Sequence, residues 1–299
     1  MKVLIYGHKG WIGSQIISNL KQQNISFIKG LERVNNKEHL EKEILYNNPT
    51  HIISTIGRTH GLIGQRIFTT IDYLEQKGKI LDNVRDNLFS PLILGLLCKK
   101  HKIHLTYLGT GCIFKYDQNH PFALEENGFT EESKPNFFDS SYSIVKGFTD
   151  ELMHMLEDTV LNVRIRMPIT SCDSTRNFIT KITTYDKICS IPNSMTVLDE
   201  LIPIMLDMAM NNKTGTINMT NPGLISHNEI LEMYKEIIDP SFTYKNFSLK
   251  EQSKILDSGR SNNYLDTSKL EKLYPEIDNI KVAVRKVLIK MKDNNNLSF

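Results

Sequence analysis

Three glycines near the N-terminus constrain the fold of this chain more than any other feature. Gly7, Gly10 and Gly13 stand three residues apart, between the apolar run of residues 3–7 and an amphipathic segment that begins at Trp11. Glycines at such a strand-to-helix turn permit a tight bend, close approach of the backbone to a pyrophosphate and close helix–strand packing. An isolated glycine triplet would indicate only a tight turn. This location predicts a dinucleotide-binding loop, with the phosphates on the free N–H groups of the helix N-terminus.

The first half of the chain alternates between strand and helix patterns. Apolar runs predict strands at "VLIYG", "SFIKG", "HIISTIG", "HLTYLG" and "LNVRIRMP", and "WIGSQIISNLKQQ", "KEHLEKEIL" and "SIVKGFTDELMHML" predict helices between them. This alternation predicts an α/β fold, namely a Rossmann doubly wound parallel sheet with helices on both faces. Pro91 interrupts one apolar run, so that either Ser90 caps a new helix there or a single kinked helix continues through it.

Looser patterning after Pro168 predicts a smaller C-terminal substrate-binding lobe. We assign residues 1–168 to the Rossmann domain, together with a strand that returns to its sheet near residues 214–222. The lobe comprises mainly residues 169–213 and 223–290, and the Asn-rich residues 291–299 are predicted to form a flexible tail.

Composition argues against several classes of protein. The 299-residue chain has a formal net charge of +2 and no basic stripe, which argues against a nucleic-acid partner. The longest apolar run, "PLILGLLC", is far shorter than the about 20 residues of a membrane-spanning helix. The four cysteines show no C-x-x-C pair and the nine histidines no H-x-x-x-H pair, so neither a disulfide framework nor a bound metal is expected. We therefore expect a cytoplasmic protein with no membrane, metal or nucleic-acid partner.

Charged residues near the glycine loop bear on which dinucleotide binds. Glu32 follows the second predicted strand, where a carboxylate would accept the ribose 2′-hydroxyl of NAD. Arg33 beside it and Lys9 inside the loop would instead pair with the 2′-phosphate of NADP, although each of these charges equally suits a solvated surface. Two cations against one anion favour NADP(H) over NAD(H). Trp11 and Ile12 complete the expected cofactor contacts of the loop.

A tyrosine and a lysine lie one helical turn apart in "YSIVK". Tyr142 and Lys146 begin the helix that follows the fourth predicted strand. A nearby ammonium lowers the pKa of a phenol and can hold a nicotinamide ribose, so that the tyrosine can protonate a carbonyl being reduced. Tyr73 and Lys77 match the same spacing, but they precede that strand and are interpreted as an ordinary helix-surface pair. We therefore expect the phenol of Tyr142 to face Thr110 at the end of the strand.

Thr110, Tyr142 and Lys146 together resemble the hydroxyl, phenol and ammonium set of the extended short-chain dehydrogenase/reductases. Longer stretches resemble a narrower family, the plant nucleotide-rhamnose synthases that act as epimerase and reductase. These stretches include "GHKGWIG", "GTGCIFKYD", "RIRMPI", "RNFITKI", "IPNSMTVLDEL", "TNPGLISHNEILEMYK" and "RSNNYLD". The resemblance extends to about Leu270 and is weakest in residues 58–79, where the chain is longer or divergent.

This resemblance implies that the chain converts UDP-4-keto-6-deoxy-D-glucose to UDP-β-L-rhamnose, by epimerising C3 and C5 and then reducing C4 with NADPH. It implies a UDP-sugar substrate. The extended fold commonly forms a homodimer through helices that correspond to residues 83–99 and 141–156, whose apolar faces equally suit packing on the sheet. The chain is less closely similar to the reductase-only enzymes for dTDP-rhamnose and to the GDP-fucose synthases. A reductase-only enzyme is one alternative. A non-catalytic nucleotide-sensing subunit is another, which the presence of Tyr142 and Lys146 disfavours.

The epimerase reading assigns acid–base roles to Cys112 and Lys181. A C4 ketone acidifies the hydrogens on C3 and C5, and Thr110 and Tyr142 at the ketone oxygen would stabilise the enolate. Cys112 follows Thr110 by two residues, and residues two apart on a strand share a face, so the thiol is expected beside the same sugar. Alternatively, Cys112 is an ordinary cysteine buried in the core. The GDP-fucose synthases pair their cysteine with a histidine, and the matching segment here offers Lys181, which would exchange protons or bind a phosphate.

Further contacts follow from the resemblance alone. It places Arg260 on the pyrophosphate, and it places Asn177 and the "PNSMT" loop, with Asn193 and Met195, around the nucleotide diphosphate. Pro168 follows the fifth strand, where this fold offers backbone to the nicotinamide carboxamide. The other three cysteines, Cys98, Cys172 and Cys189, are interpreted as structural.

Overall fold

The computed structural model describes residues 2–122 and 124–296 and contains one large sheet. Its strands are β1 (Val3–Tyr6), β2 (Phe27–Lys29), β3 (His51–Ser54), β4 (Gly61–Ile63), β5 (Arg66–Phe68), β6 (His104–Thr110), β7 (Val160–Ile165) and β8 (Gly215–Asn218). Six strands form a parallel sheet in the order β2-β1-β3-β6-β7-β8, and β4 and β5 form a separate antiparallel hairpin. The predicted α/β doubly wound fold is confirmed.

The helices connect these strands and continue beyond them. They are α1 (Trp11–Gln22), α2 (Lys37–Asn47), α3 (Ile80–Val84), α4 (Ser90–His101), α5 (Ser141–His154), α6 (Phe178–Ile182), α7 (Leu198–Met210), α8 (His227–Ile237), α9 (Leu249–Gln252), α10 (Ser268–Leu273) and α11 (Ile280–Asn296). No helix in the described ranges combines the length and the apolar character that crossing a membrane requires.

Alternation along the strands assigns side chains to the two faces of the sheet. Val3 and Ile5 of β1 pack in one apolar cluster with α1 and α7, whereas Leu4 and Tyr6 pack in another with α2 and α4. All four β1 residues are buried, which explains why the strand reads as a continuous apolar run instead of an alternating one. The helices therefore cover both faces, and functional groups are confined to the strand ends.

The order of the strands places a crevice at their carboxyl ends. The chain passes from β1 outwards to β2, and then returns to add β3 on the other side of β1. Loops on the two sides of such a reversal diverge, and they leave an opening in which doubly wound proteins bind their ligands. The glycine loop after β1 and the segments after β3, β6 and β7 meet at this opening.

A single helical rod passes through Pro91. A π-helical turn, Arg85–Phe89, joins α3 directly to α4, and Ser90 has helical dihedrals (φ −61°, ψ −50°), so it does not cap a new helix. Pro91 offers no N–H to the carbonyl of Asn87, and this carbonyl instead accepts from Thr149 Oγ1 at 2.6 Å. The restart at Ser90 is therefore wrong, and the alternative of one continuous helix is correct.

The C-terminal region has an apolar cluster of its own. Buried residues of α6, α8 and α11 pack with Ile169, Met195 and Ile225. Strand β8 returns to the main sheet beside β7, as the sequence predicts. Helix α11 extends to Asn296, into the segment 291–299 that the sequence analysis assigns to a tail, and the remaining three residues lie outside the described range.

The divergent segment after β3 differs from its prediction. Tyr73 is only 4% exposed and lies in a 3-10 helix, Ile71–Glu75, where its phenol donates to Asp82 at 3.0 Å. Lys77 lies beyond the end of this short helix, so the two residues do not share a helical face. The interpretation as a helix-surface pair is therefore wrong. The segment "GLIGQRIF" forms the β4–β5 hairpin, which the sequence analysis does not predict.

Candidate active site

One large cavity opens at the carboxyl edge of the sheet. Its volume is about 750 Å³, a size suited to ligands larger than a single sugar. Residues from the glycine loop, from the ends of β3, β6 and β7, from α5 and from the C-terminal region line it together. Those that bear on function are Lys9, Gly10, Trp11, Ile12, Gly13, His60, Thr110, Cys112, Tyr142, Lys146, Arg166, Pro168, Arg176, Lys181 and Arg260.

The glycine loop forms one end of this cavity. Gly7 has φ +79°, and a Cβ on it would lie 2.4 Å from Thr55 Oγ1. A Cβ on Gly13 would lie 2.3 Å from the carbonyl oxygen of Gly7, so α1 could not approach β1 with any other residue there. Gly10 precedes α1 without a side-chain cap, and the first turn has no acidic residue. The N–H groups of this turn are therefore free for an anion, and the loop fits the pyrophosphate of a nicotinamide dinucleotide.

Thr110 and Tyr142 meet at the end of β6. Ser140 caps α5 by accepting from the N–H of Ser143 at 3.1 Å, which places Tyr142 in the first turn and facing the cavity. Burial raises the pKa of Tyr142, the charge of Cys112 raises it further, and a hydrogen bond with Thr110 opposes both. A neutral phenol in contact with a hydroxyl suits a group that donates a proton to a ketone oxygen.

Lys146 has a partner that the sequence reading missed. Its ammonium donates to the phenol oxygen of Tyr107, a buried residue of β6, and lies 4.6 Å from the centre of that ring. Burial lowers the pKa of Lys146 to about 8, while Asp150 and Cys112 oppose this shift. The expected lowering of the Tyr142 pKa by this ammonium is not found, because burial of the phenol dominates and raises that pKa. A tyrosine inside an apolar strand needs a polar partner, and this signal could have identified Tyr107.

Cys112 reaches the cavity by a route other than the predicted one. Strand β6 ends at Thr110, and Cys112 lies in the following turn, so the rule that alternate strand residues share a face does not apply. The turn is held because Thr110 Oγ1 accepts from the Cys112 N–H at 3.0 Å and Ser143 Oγ donates to the Cys112 carbonyl at 2.7 Å. The half-buried thiol thus lines the same cavity as Thr110 and Tyr142.

Lys181 lies on the wall formed by the C-terminal region. It belongs to the short helix α6, and burial and then the charge of Arg176 lower its pKa. Burial also lowers the pKa of Arg176, a cavity residue that the sequence reading did not select. Within residues 2–122 and 124–296, neither cation forms an ion pair with a carboxylate. Two unpaired cations at a cavity wall make that wall attractive to anions.

His60 is a second cavity residue that the sequence reading missed. Burial lowers its pKa to about 4, and the charges of Arg176, Arg58 and Lys181 act in the same direction. A neutral imidazole therefore stands among three cations, where it can donate or accept a hydrogen bond. It lies in the segment of weakest family resemblance, which offered no motif by which to find it.

Arg260 lines the cavity, and its charge is neutralised by Asp72. Asp72 accepts from Arg260 Nη2 at 2.6 Å and from Ser258 Oγ at 2.7 Å. Within the same 3-10 helix, Glu75 accepts from the N–H of Ser141, the first residue of α5, at 2.8 Å. The segment that carries Asp72 and Glu75 therefore links the Arg260 loop to the helix that carries Tyr142 and Lys146.

Three predicted substrate contacts lie away from the cavity. Asn177 is fully buried and caps α6, and its amide donates to the carbonyl of Thr170 at 2.8 Å. Asn193 is fully buried and accepts from Arg166, while Met195 packs in the C-terminal apolar cluster. These side chains shape the wall without reaching its surface.

Some of the predicted cofactor contacts line the cavity and others do not. Lys9, Trp11, Ile12 and Pro168 line the cavity, as do Gly10 and Gly13. The side chain of Arg33 is exposed and is not among the cavity residues. Among the residues that the structure describes, no group of three or more His, Cys, Asp or Glu side chains is placed to hold a metal ion.

Comparison with known proteins gives a consistent result. No family model matches the sequence. The crystal structure of a UDP-rhamnose synthase from Acanthamoeba polyphaga mimivirus superimposes with a TM-score of 0.92 at 53% identity, covering 97% of this chain and 99% of that one. A bifunctional dTDP-4-dehydrorhamnose 3,5-epimerase/reductase from Arabidopsis thaliana is 42% identical over 288 residues, 96% of this chain and 92% of that protein. A dTDP-4-dehydrorhamnose reductase from Bacillus anthracis, solved with NADP, shares the fold at 16% identity with a TM-score of 0.78, covering 97% of this chain and 99% of that one.

Proposed function

Because this chain belongs to the family of nucleotide-rhamnose synthases that join 3,5-epimerase and 4-reductase activities, we propose that it converts UDP-4-keto-6-deoxy-D-glucose to UDP-β-L-rhamnose. The UDP-rhamnose synthase that matches at 53% identity supports UDP as the nucleotide, whereas the name of the 42% identical plant enzyme specifies dTDP. The activity is that of an oxidoreductase and an isomerase within one chain.

The observation that carries the proposal is that a single cavity holds all the groups that both reactions need. The glycine loop lies at one end, the Thr110–Tyr142 pair at the sheet edge, and Cys112 and Lys181 on different elements around the space between them. A reductase alone requires a proton donor and a cofactor. Two further acid–base groups in the same space suit the inversion of carbons beside the ketone.

Reduction depends on the sheet edge. NADPH, when bound, supplies a hydride to C4 of the sugar. Thr110 and Tyr142 hold the ketone oxygen at C4, and Tyr142 gives it a proton as the alcohol forms. Lys146 on the same helix holds the ribose of the cofactor through its ammonium group.

Epimerisation uses both walls of the cavity. A base removes the proton from C3 or C5, the resulting enolate is stabilised by Thr110 and Tyr142, and an acid returns a proton to the opposite face of the ring. Cys112 and Lys181 are the proposed pair, because they enter the cavity from different elements and because burial lowers the pKa of Lys181 towards the range in which it exchanges protons.

NADP(H) is the proposed cofactor in preference to NAD(H). Lys9 is an exposed cation at the edge of the cavity, and Arg33 is an exposed cation just beyond β2. Glu32, the competing carboxylate, lies 3.6 Å from His39. We expect Arg33→Ala to lower the ratio of kcat/KM for NADPH to that for NADH by about tenfold, since one charge-assisted contact with the 2′-phosphate is lost. An unchanged ratio in that variant and in Lys9→Ala would contradict the preference.

A homodimer through α4 and α5 is also proposed. These helices present large exposed apolar side chains, including Leu96 (50% exposed) and Phe148 (63%), and Met155 (75%) lies just beyond the end of α5. An exposed apolar patch on two adjacent helices suits an isologous contact. We expect a solution mass of about twice 34.4 kDa and dissociation in Phe148→Glu, whereas Ile67→Glu on the hairpin should leave the dimer intact. A monomeric wild-type protein would disprove this assembly.

Product analysis tests the whole proposal. The purified chain is incubated in D₂O with UDP-4-keto-6-deoxy-D-glucose, with and without NADPH. We expect UDP-β-L-rhamnose with NADPH, and deuterium at C3 and C5 without it. Reduction without deuterium incorporation would favour the reductase-only alternative, and absence of any turnover would favour a nucleotide-sensing subunit.

Cys112→Ala separates the two activities. We expect it to abolish deuterium exchange while reduction of an already epimerised 4-keto sugar continues, because reduction needs no thiol. Cys98→Ala is the matched control, since that cysteine is buried in α4 away from the cavity. Exchange that survives in Cys112→Ala would show that another group moves these protons.

A further inference from the structure

The β4–β5 hairpin is inserted into the wall of the active-site cavity. Thr59 and His60 line the cavity immediately before the hairpin, and Thr69 and Thr70 line it immediately after. The hairpin also lies within residues 58–79, where the resemblance to the family is weakest, so no family motif assigns it a role. Its position at the cavity nevertheless brings it close to the groups that the reduction requires.

The two faces of this hairpin differ in their exposure. Leu62 and Ile67 lie opposite each other in the antiparallel register, and they are 60% and 72% exposed. Gly61 and Phe68 lie opposite each other on the other face, and Phe68 is only 8% exposed. Since cross-strand partners share a face, the hairpin has an outer face in solvent and an inner face directed at the protein.

The inner face of the hairpin packs against the proposed proton donor. Phe68, Tyr73 and Leu74 form a buried apolar cluster, and Ile63 and Tyr142 pack against it. The rings of Phe68 and Tyr73 lie 6.4 Å apart between centres and are tilted. Because Tyr142 also lines the cavity, its ring has the hairpin cluster on one side and the substrate space on the other.

Contacts on both sides fix the inner face in this position. A Cβ on Gly61 would lie 2.5 Å from Cε2 and Cζ of Tyr73, so β4 can approach that ring only with a glycine there. The phenol of Tyr73 is itself held by Asp82 at 3.0 Å. On the other side, the guanidinium carbon of Arg66 lies 4.4 Å from the centre of the Phe68 ring, within the range of a cation–π contact. A side chain fixed in this way can support a reacting group.

We propose that Phe68 is a positioning residue for Tyr142, because the inner face of the hairpin holds the phenol ring beside Thr110 and excludes water from the ketone oxygen that the phenol protonates. A misplacement of about 1 Å at a reacting group can lower a rate by as much as about 10²-fold. The inference rests on the proposed function, since it names the support of the proton donor in the reduction.

Reduction of an already epimerised 4-keto sugar by NADPH tests this role. We expect Phe68→Ala to lower kcat about tenfold and to leave KM for NADPH within about twofold, because the glycine loop lies at the other end of the cavity. Phe68→Leu keeps most of the apolar volume and should retain at least about half of the wild-type kcat. Ile67→Ala, on the outer face of the same hairpin, is the matched control and should retain all of it. A folded Phe68→Ala protein with the wild-type kcat overturns the inference.

A double-mutant cycle shows whether Phe68 acts through the phenol. In a Tyr142→Phe protein the proton donor is already absent, so we expect the further change Phe68→Ala to leave the residual kcat unaltered. The same proportional loss in both backgrounds would overturn the inference, because a purely structural role does not depend on the phenol. If Phe68→Ala does not fold, Ile63→Ala at the edge of the same cluster replaces it in the cycle, with an expected loss of about threefold.

Nitration of the full-length protein by tetranitromethane measures the shielding of Tyr142 without any substrate. Because nitration acts on the phenolate and burial raises the pKa of Tyr142, we expect Tyr142 to be nitrated at least about fivefold faster in Phe68→Ala than in the wild-type protein. Tyr46 is 89% exposed and serves as an internal control, with the same rate in both proteins by mass spectrometry.

The two levels of the proposal fail separately. Unchanged nitration of Tyr142 and unchanged kcat in Phe68→Ala, in an enzyme that forms UDP-β-L-rhamnose, would overturn the role of Phe68 and leave the enzyme function intact. Faster nitration of Tyr142 in Phe68→Ala, in a chain whose wild-type form turns over no 4-keto sugar, would do the reverse.

Discussion

The two walls of the active-site cavity are held in place by different forces. The sheet wall, defined by the ends of β3, β6 and β7 and the start of α5, is set by backbone pairing in a regular parallel register. The opposite wall, defined by residues 166–196 and 258–263, is tied to it by side chains. Asn263 Nδ2 donates to the Gly111 carbonyl across 152 positions of the chain at 3.0 Å, and Arg166 reaches Ser261 across 95.

This difference implies that the two walls differ in their chemical roles and in their sensitivity to substitution. The sheet wall carries the hydroxyl and phenol that we propose for reduction, and its strands are held together by backbone hydrogen bonds. The opposite wall positions Lys181 and the Cys112 turn by a buried polar network, in which removal of one member leaves others unsatisfied. Substitution of the reacting groups on the first wall should therefore act mainly on chemistry, whereas substitution within the polar network of the second wall should act also on stability and on epimerisation.

The largest effect is expected from Tyr142→Phe. Loss of the proton donor should lower kcat for reduction of a pre-epimerised 4-keto sugar by about 10²–10⁴-fold, with little change in stability. The corresponding change on the opposite wall, Lys181→Met, should leave that reduction nearly intact and abolish deuterium exchange at C3 and C5. Equal loss of reduction in both variants would break the division between the walls.

Asp150→Asn tests how much the sheet wall depends on its own buried charge. Although burial raises the pKa of Asp150, hydrogen bonds from His154 and Arg164 outweigh it and lower this pKa to about 2. The substitution leaves Arg164 buried without an anion and should reduce the free energy of unfolding by about 3–5 kcal/mol in urea titrations. Asp158→Asn, which breaks an exposed pair with Lys99, should have a far smaller effect because solvent screens that pair.

The sign of the pH effect follows from the direction of that shift. The folded-state pKa of Asp150 lies below its ordinary value, so the stabilisation is present above about pH 4 and is lost as the pH falls to about 2. A wild-type protein and an Asp150→Asn protein with identical stability losses over this window would contradict the assignment.

Asn263→Ala cuts the network that joins the two walls. The fully buried amide donates to the carbonyls of Gly111 and Phe114 at 3.0 and 2.9 Å, and both acceptors would lose this partner. We expect a loss of about 1–3 kcal/mol in the free energy of unfolding, together with slower deuterium exchange at C3 and C5. The exposed Asn211→Ala should change stability by less than about 0.5 kcal/mol. Normal exchange in a destabilised Asn263→Ala protein would show that the network does not position the acid–base groups.

Tyr107→Phe should give the smallest effect. Burial lowers the pKa of Lys146 to about 8, and the substitution removes a hydrogen bond to the ammonium, so this pKa should fall further. The limb of kcat/KM for NADPH that falls with rising pH should move to lower pH, by less than about one unit. Tyr6→Phe, the same change at a buried tyrosine bonded to Glu43, should leave the profile unmoved.

The contrast between the walls also explains what could be predicted from the sequence. The glycine spacing, the strand–helix alternation and the Tyr142–Lys146 turn are local patterns, and local backbone rules convert them directly into the sheet wall. Cys112 was placed at the cavity for the wrong reason, since a turn held by Thr110 and Ser143 presents it, and the strand does not extend to it. Burial of the Tyr142 phenol, which decides the direction of its pKa, depends on packing that spacing does not reveal.

Prediction was poorer where contacts are distant in the chain. Family resemblance predicts substrate contacts at Asn177, Asn193 and Met195, whereas the structure shows that Asn177 caps a helix, Asn193 accepts from Arg166 and Met195 packs in an apolar cluster. Arg176 and His60 could not be predicted, because no sequence pattern identifies a single cation or imidazole whose neighbours lie far away in the chain. The interpretation of Tyr73 and Lys77 is wrong because their spacing matches a helical turn while the 3-10 helix that contains Tyr73 ends before Lys77.

The short 3-10 helix that carries Asp72 and Glu75 limits which loops can be exchanged among related enzymes. Asp72 holds Arg260 and Ser258, while Glu75 holds the first turn of α5. Only the outer face of the hairpin before it is open to replacement, because Leu62 and Ile67 are exposed whereas Phe68 packs on Tyr73 and Leu74. A graft that shifts the frame of residues 70–76 by one position would break the contacts by which this segment joins residues 258–260 to α5.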